Sequence, residues 1–503
     1  MNFFKKLFRK EKPIVQYKKA KTKLILIGLD AATLTFIQPL LDEGKLLTLK
    51  KFCQDGCCGI LKSENPAISP IVWTTIYTGK KRDKHNIFGF YSNKSELKAR
   101  RVWEVLHHLG LSIGTIGAFF TSPPETIYNF MIPNIWVKVN DLTDPPEFNF
   151  AQHWFHYKPR EFKKLKKFGL TNNTISYLKK VKRKFPHIGR KATSPEIHFG
   201  NLYLKTDVFI HLLRKLHTDF GVIAYYGADA FQHIFMHHYK PEWFTNLDFK
   251  VRNKLKNLIP EYYIEFDKQL ARIMEANSEN TNYIIVSDHG SQPCPPELQK
   301  TFRISEIGMI KALKLDGIAK PTYAHGFITI ELPGELIDAT FNKIKSIRLI
   351  ENNLELFTVL RKFDNRLEIQ HNPNIMRSKE MHNMHFQVYD SKILLNDLLI
   401  SNQRFGMHHL NGFYAGYGPA FKPQQNRATL SILDIVPLIL SILNVPIGID
   451  MDGRIPVELL NENFINTAKS KQPYETIIQS EKNIDERDMD KIKKQLKDLG
   501  YIG

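Results

Sequence analysis

Short continuous apolar runs recur along the chain, each closed by glycine, aspartate or a charged turn. Between them lie stretches in which apolar positions return every three or four residues. The first pattern marks strands buried on both faces and the second marks helices packed on a sheet. Lys23-Leu-Ile-Leu-Ile-Gly-Leu-Asp30 is the clearest strand, followed by Phe220-Gly-Val-Ile-Ala-Tyr-Tyr-Gly and Tyr283-Ile-Ile-Val-Ser-Asp288-His289-Gly290. Shorter strands are expected near Gly59 to Leu61 and within Leu111 to Phe120. Helical spacing runs through Leu34 to Leu46, Leu202 to Leu216 and Ile259 to Ala276, with a further buried helix around Ile432 to Leu443. Strand, helix and strand in alternation predict an α/β fold, a doubly wound, mostly parallel sheet between layers of helices.

One stretch combines structural punctuation with possible chemistry. In Asn65-Pro-Ala-Ile-Ser69-Pro70-Ile-Val-Trp73-Thr-Thr-Ile-Tyr-Thr-Gly79, the sequence predicts a helix with Ser69 at its N-cap, Pro70 at its first position and Gly79 at its exit. Read alone, Ser-Pro is a capping pair. Beside an anion, the same hydroxyl stands at the positive end of a helix dipole.

The texture changes twice. Residues 92–200 are rich in aromatics and prolines, and 158–191 is heavily basic, which suggests a largely helical insertion whose usual explanation is a solvated face. Residues 301–400, with an alternating strand at Phe327-Ile-Thr-Ile-Glu-Leu, a helix over 335–347 and a strand from Glu355, suggest a small α+β cap. The expected organisation is a basic N-terminal tail (1–23), a catalytic domain (24–460) carrying both insertions, and a charged helical C-terminal tail (461–503).

Composition places the chain among globular proteins: 43% hydrophobic and 24% charged residues exclude a disordered or fibrous class. The excess of 71 basic over 51 acidic residues, a net charge of +20, fits a phosphorylated substrate, an anionic membrane surface or nucleic acid without choosing among them. Phe4, Leu7 and Phe8 in a lysine-rich setting would allow residues 1–23 to touch an anionic membrane surface, against a solvated terminus as the plain alternative. No recognised nucleic-acid module is visible, so no specific nucleic acid is expected as a partner. Cys53, Cys57, Cys58 and Cys294 lack a second paired cluster and read as reduced thiols. With no secretory signal and no spanning segment, that places the chain in the cytoplasm.

Acids and histidines gather where strands end. Asp30 closes the first strand, Asp229 and His233 lie one helical turn apart after another, and Asp288 with His289 closes a third. His408 or His409 precedes Gly412 near the end of the chain. Side chains at the carboxyl edge of an open sheet share one crevice. Three carboxylates and three imidazoles there suit two divalent ions, zinc first and manganese second. Two ions beside a hydroxyl at a helix start make a phosphoryl-transfer site.

Gly28-Leu-Asp30, Pro66-Ala-Ile-Ser69-Pro-Ile-Val-Trp73 through Gly79, Asp229-Ala-Phe-Gln-His233, Ser287-Asp-His-Gly290 and Gly406-Met-His408 through Gly412 resemble the alkaline phosphatase superfamily. Within it they are most similar to the type I phosphodiesterases and nucleotide pyrophosphatases, as are Asp434-Ile-Val-Pro-Leu-Ile-Leu and Asp450-Met-Asp-Gly-Arg454. The resemblance implies a covalent mechanism with Ser69 as nucleophile. Asp30, Asp288 and His289 would hold the ion that activates it; Asp229, His233 and His408 would hold the other. His408 is preferred over His409 because it keeps the family's spacing to Gly412. The implied activity is hydrolysis of phosphodiester or pyrophosphate bonds in a phosphorylated small molecule, a nucleotide among the candidates. A phosphomonoesterase or phospho-transferase using the same site is the alternative, and a basic binding protein on a hydrolase scaffold is the rival from another class. Pro70 departs from the family pattern: it has no N–H, so a backbone donor for phosphate would have to come from deeper amides such as Ile71 or Val72.

Overall fold

A computed structural model describes residues 22–476, except 90–93, 122–123, 126–127, 135–142, 151–160, 185–193, 245–254, 325–326, 364–365, 404 and 424–426. The basic N-terminal segment and most of the C-terminal tail lie outside the described residues. At the centre is an eight-stranded sheet. In chain order its strands are β1 (Lys23–Leu29), β2 (Cys57–Lys62), β3 (Ile113–Ile116), β4 (Phe130–Ile132), β5 (Phe220–Tyr225), β6 (Thr281–Val286), β7 (Asn411–Tyr417) and β8 (Thr429–Ser431). In space they run β8-β2-β7-β6-β1-β5-β3-β4. Every pairing is parallel except those of β7, which is antiparallel to both β2 and β6.

Alternation within β1 explains why the sheet is covered on both sides. Ile25, Ile27 and Leu29 join one apolar cluster with Phe209, Tyr262 and Ile285; Leu24 and Leu26 join another with Val72, Ile76 and Leu438. Successive side chains point to opposite faces, so an uninterrupted apolar run requires two helical layers. The first layer includes Pro195–Lys215, Gly227–Tyr239 and Leu258–Glu275, and the second includes Ser69–Thr78 and Ile435–Ile442. Each fully buried Leu or Ile in these layers contributes roughly 1.5–3 kcal/mol.

Three local readings change. The helix expected over Leu34 to Leu46 ends at Asp42, because Gly44 adopts a left-handed backbone (φ 68°), and a further helix, Leu47–Asp55, follows. The helix expected from Leu202 begins at Pro195, and its buried residues include His198, Asn201, Lys205 and Asp207 as well as apolar ones. A helix buried nearly all round carries no apolar stripe that periodicity can find. The third correction concerns the thiols. Cys53 and Cys58 form a disulfide with Cα atoms 5.0 Å apart, while Cys57 and Cys294 are free and buried. The chain turns at Gly56 straight from the helix Leu47–Asp55 into β2, which brings Cys58 back beside Cys53 within bridging distance.

Within 92–200, β3 and β4 belong to the main sheet. Outside it, the 3-10 segment Phe162–Phe168 and the helix Asn172–Lys184 bury Phe162, Leu165, Ile175, Leu178 and Val181 and expose Lys163, Lys164, Lys166, Lys167, Lys180 and Arg183. Residues 304–399 enclose their own apolar cluster, including Ile304, Ile328, Leu367 and Phe386. It is built on a four-stranded antiparallel sheet in the order Phe357–Phe363, Arg366–His371, Phe327–Glu331, Lys320–Ala324. The strands Lys300–Ile304 and Leu399–Gln403 pair at its base, and Arg366 reaches Glu96 at 3.2 Å. No described helix is long and apolar enough to cross a membrane.

Candidate active site

Register brings the strand-end residues together. Leu29 pairs with Tyr225 and Gly28 with Val286, so Asp30 emerges beside the start of the helix Gly227–Tyr239 and beside Ser287 and Asp288. The antiparallel β7 begins where these strands end, and the strand before it, Gly406–His409, pairs with Gly290–Pro293 so that His408 lies opposite Ser291. The two segments approach closely at Gly290: a Cβ there would lie 2.1 Å from the carbonyl oxygen of Asn411. Only glycine allows that approach.

The Ser69 helix starts one residue earlier than its sequence suggests. Ile68 is the N-cap, Ser69 the first helical residue and Pro70 the second. Ser69 therefore caps nothing, and its hydroxyl lies 3.3 Å from Nε2 of His289. The amides of Ile71 and Val72 both donate to the carbonyl of Ile68, at 2.9 and 3.0 Å. They are therefore spent as phosphate donors, contrary to expectation, because a helix that begins at Ser69 uses them to close its first turn.

All three imidazoles are oriented alike. Nδ1 of His233 bonds to the carbonyl of Gly406 (2.8 Å), that of His289 to the carbonyl of Gly290 (3.0 Å), and that of His408 to the carbonyl of Ala67. A carbonyl only accepts, so each Nδ1 carries the proton and each Nε2 presents a lone pair. Those lone pairs converge. Nε2 of His233 and Nε2 of His408 are 2.9 Å apart, and Oδ1 of Asp229 lies 3.1 Å from the first and 3.6 Å from the second. Two facing lone pairs at this separation repel unless positive charge lies between them.

Deeper in the crevice, Oδ1 of Asp30 and Oδ2 of Asp288 lie 3.7 and 3.2 Å from Nε2 of His289. Both oxygens are buried without a hydrogen-bond partner. The other oxygen of each carboxylate is engaged: Trp73 Nε1 donates to Asp30 Oδ2 at 3.1 Å, and the amide of Ala31 donates to Asp288 Oδ1 at 3.3 Å. One ligand atom each from Asp229, His233 and His408 forms a tight group, and one each from Asp30, Asp229 and His289 forms another, so Asp229 faces both. Asp30, Asp288 and His289 are buried, whereas Asp229, His233 and His408 are half-buried nearer the mouth.

The electrostatics agree. Burial, then Asp288 and Asp229, push the Asp30 carboxyl well above its ordinary range. Burial, then Asp229, push Asp288 up to about 7. Burial, then the nearby His408 ring, drive His289 well below the ordinary imidazole value. Asp229 goes the other way: burial raises it, but His233 and His408 outweigh that and hold it well below the usual carboxylate range. Crowded carboxylates, orphaned oxygens and imidazole nitrogens aimed at one space fit divalent cations.

Every sequence-selected residue reaches the crevice. His409 does not; its Nδ1 accepts from the amide of Asn411 at 3.1 Å. His85 is buried against the hydroxyl of Thr75, 3.1 Å away. Trp73 was missed as a site residue, because an indole four residues after a serine looks like ordinary core. The later motif residues serve the other end of the Ser69 helix: Asp452 donates its amide to the carbonyl of Gly79, and Asp450 pairs with the buried Lys80.

The family model described as type I phosphodiesterase / nucleotide pyrophosphatase matches residues 24–402. No curated protein matches the chain. Among solved structures, phosphonoacetate hydrolase from Sinorhizobium meliloti 1021 in complex with phosphonoformate aligns over 84% of this chain and 95% of its own, at 12% identity and a TM-score of 0.42. Murine ectonucleotide pyrophosphatase / phosphodiesterase 5 aligns over 87% and 100%, at 12% identity and 0.44, and its human counterpart over 88% and 100%, at 14% and 0.43. These likenesses carry no weight for the site. The match over most of the chain does: this protein belongs to the type I phosphodiesterase / nucleotide pyrophosphatase family, and is a phosphoric ester hydrolase.

Proposed function

We propose that the chain hydrolyses phosphodiester or pyrophosphate bonds of a phosphorylated small molecule, through a phosphoseryl intermediate on Ser69 and with two divalent ions, zinc first and manganese second. The observation that carries this reading is the convergence of the Ser69 hydroxyl on His289 (3.3 Å) in a crevice where buried carboxylate oxygens have no partner. Asp30, Asp288 and His289 would hold one ion and Asp229, His233 and His408 the other, with Asp229 close enough to face both. Bound there, divalent ions supply Lewis acidity that favours the serine alkoxide and offsets charge on the transferring phosphoryl group.

The chain's own residues do the rest. Ser69 Oγ, giving up its proton to solvent, forms a bond to phosphorus as the bond from phosphorus to the leaving oxygen breaks on the opposite side, and that oxygen takes up a proton from solvent. Water then adds to the phosphoseryl group in line, losing a proton, and the Ser69–phosphorus bond breaks as Ser69 Oγ regains one. Holding the hydroxyl on a buried helix turn removes the entropy cost of bringing nucleophile and phosphorus together. Backbone carbonyls at Nδ1 keep each imidazole in the tautomer that leaves Nε2 available. With Pro70 lacking an N–H and the Ile71 and Val72 amides spent, first-turn amides contribute little to phosphate binding.

Turnover of bis(p-nitrophenyl) phosphate by Ser69→Ala tests the assignment: activity is lost while zinc content stays at the wild-type level. Wild-type turnover in that variant would refute the nucleophile. Running p-nitrophenyl phosphate beside the diester separates a diesterase from a monoesterase built on the same residues.

A further inference from the structure

The Ser69 helix carries a second residue aimed at the crevice. Trp73 follows Ser69 by one turn, so the hydroxyl and the indole share a face of the helix. The indole is fully buried. Its Nε1–H donates to Oδ2 of Asp30 at 3.1 Å, while Oδ1 of the same carboxylate is buried without a hydrogen-bond partner and lies toward His289. The ring is clamped, stacked on Tyr77 with centroids 5.6 Å apart and meeting Tyr226 edge-on at 6.3 Å. Space for it comes from β1. A Cβ at Gly28 would lie 2.7 Å from the indole Cη2, so any side chain two residues before Asp30 would displace the ring.

We propose that Trp73 is a positioning residue for the buried cation site: its indole N–H holds Asp30 Oδ2 so that Oδ1 alone faces the ion, and it couples that ligand to the nucleophile one turn away. Gly28 belongs to the same device, because its missing side chain admits the indole. A buried carboxylate with both oxygens unpartnered could rotate and present either; an N–H donor on one oxygen removes that freedom. The inference rests on the two-ion reading above.

Zinc titration of the metal-free protein against a chromophoric chelator tests it. Wild type takes up two equivalents. Trp73→Phe, which keeps an aromatic ring and removes the donor, binds one of the two 10- to 100-fold more weakly, the range found for partners behind metal ligands. The other equivalent, held at the mouth, is unchanged. Gly28→Ala weakens the same equivalent, and the double variant is no worse than the more affected single one, since both act through one hydrogen bond.

Trp73→Phe binding both equivalents at wild-type affinity overturns the proposal. If that variant does not fold, wild type labelled with 15N-tryptophan decides: one of the five indole signals shifts as zinc fills its tighter site, and five unmoved signals overturn the proposal. Wild type that binds no zinc sinks the two-ion reading itself, which a normal Trp73→Phe titration does not.

Discussion

Asp288→Asn should make the metal-free protein more stable while weakening its response to zinc. Burial and Asp229 push the Asp288 carboxyl from an ordinary 3.8 up to about 7. Between those values the folded state binds a proton that the unfolded chain has released, so this group lowers stability as pH rises from 3.8 toward 7, and the penalty is complete above 7. At about 1.4 kcal/mol per factor of ten in the ionisation constant, the penalty is about 2 kcal/mol at pH 5 and about 4 kcal/mol at pH 8. Asparagine keeps the acceptor for the Ala31 amide and places an N–H where Oδ2 lies 3.2 Å from His289 Nε2, which is an acceptor because Nδ1 bonds the Gly290 carbonyl. The expected gain is therefore largest at pH 8 and falls by about half or more at pH 5. Urea unfolding in the presence of a chelator, at both pH values, measures it. Repeating the pH 8 series with zinc at a hundredfold excess over its dissociation constant should stabilise wild type, with two sites, by about 5 kcal/mol and the variant, which keeps the mouth site, by about 3 kcal/mol. A variant less stable than wild type at pH 8 in chelator, or a gain equal at both pH values, would refute this account of carboxylates crowded for a cation.

Three further outcomes follow from the geometry. His408→Ala should lose the zinc equivalent at the mouth and nearly all diesterase activity, whereas His409→Ala, whose ring accepts from the amide of Asn411 on its own turn, should retain both; equivalent losses would show that the wrong histidine has been chosen. Lys205 is buried with its ammonium donating to the carbonyl of Ala224 and its pKa lowered by burial to about 7. The unfolded chain thus holds more protons between pH 7 and 10.5, stability rises with pH across that window, and Lys205→Met should stabilise the fold by a few kcal/mol at pH 7 and by much less at pH 10, as thermal unfolding at the two pH values would show. Pro70→Ala adds an amide in the first turn of the Ser69 helix and should tighten inhibition by vanadate severalfold; an unchanged inhibition constant would mean that this amide never faces the phosphate.

Apolar runs such as Lys23 to Leu29 determined the doubly wound sheet by themselves, because a strand without a polar face has to be covered on both sides. Five of the candidate residues, Asp30, Asp229, His233, Asp288 and His289, were legible for a related reason: each follows a strand of the sheet, and parallel strands in one sheet end at one edge. Choosing His408 over His409 from sequence needed the spacing to Gly412; the structure reaches the same residue through strand alternation, which turns one ring inward and leaves the other on its own turn. Other features depended on distance alone. Asp229 facing both ligand groups, Cys53 closing on Cys58, and the Ile71 and Val72 amides being consumed by Ile68 follow from where backbones lie, and no residue type announces them. The Ser69 helix shows the division most clearly. Its sequence marked a helix start with a serine and a proline, but the one-residue shift that frees the hydroxyl, and the indole that reaches Asp30 through the space above Gly28, arise only when β1 and that helix pack against each other.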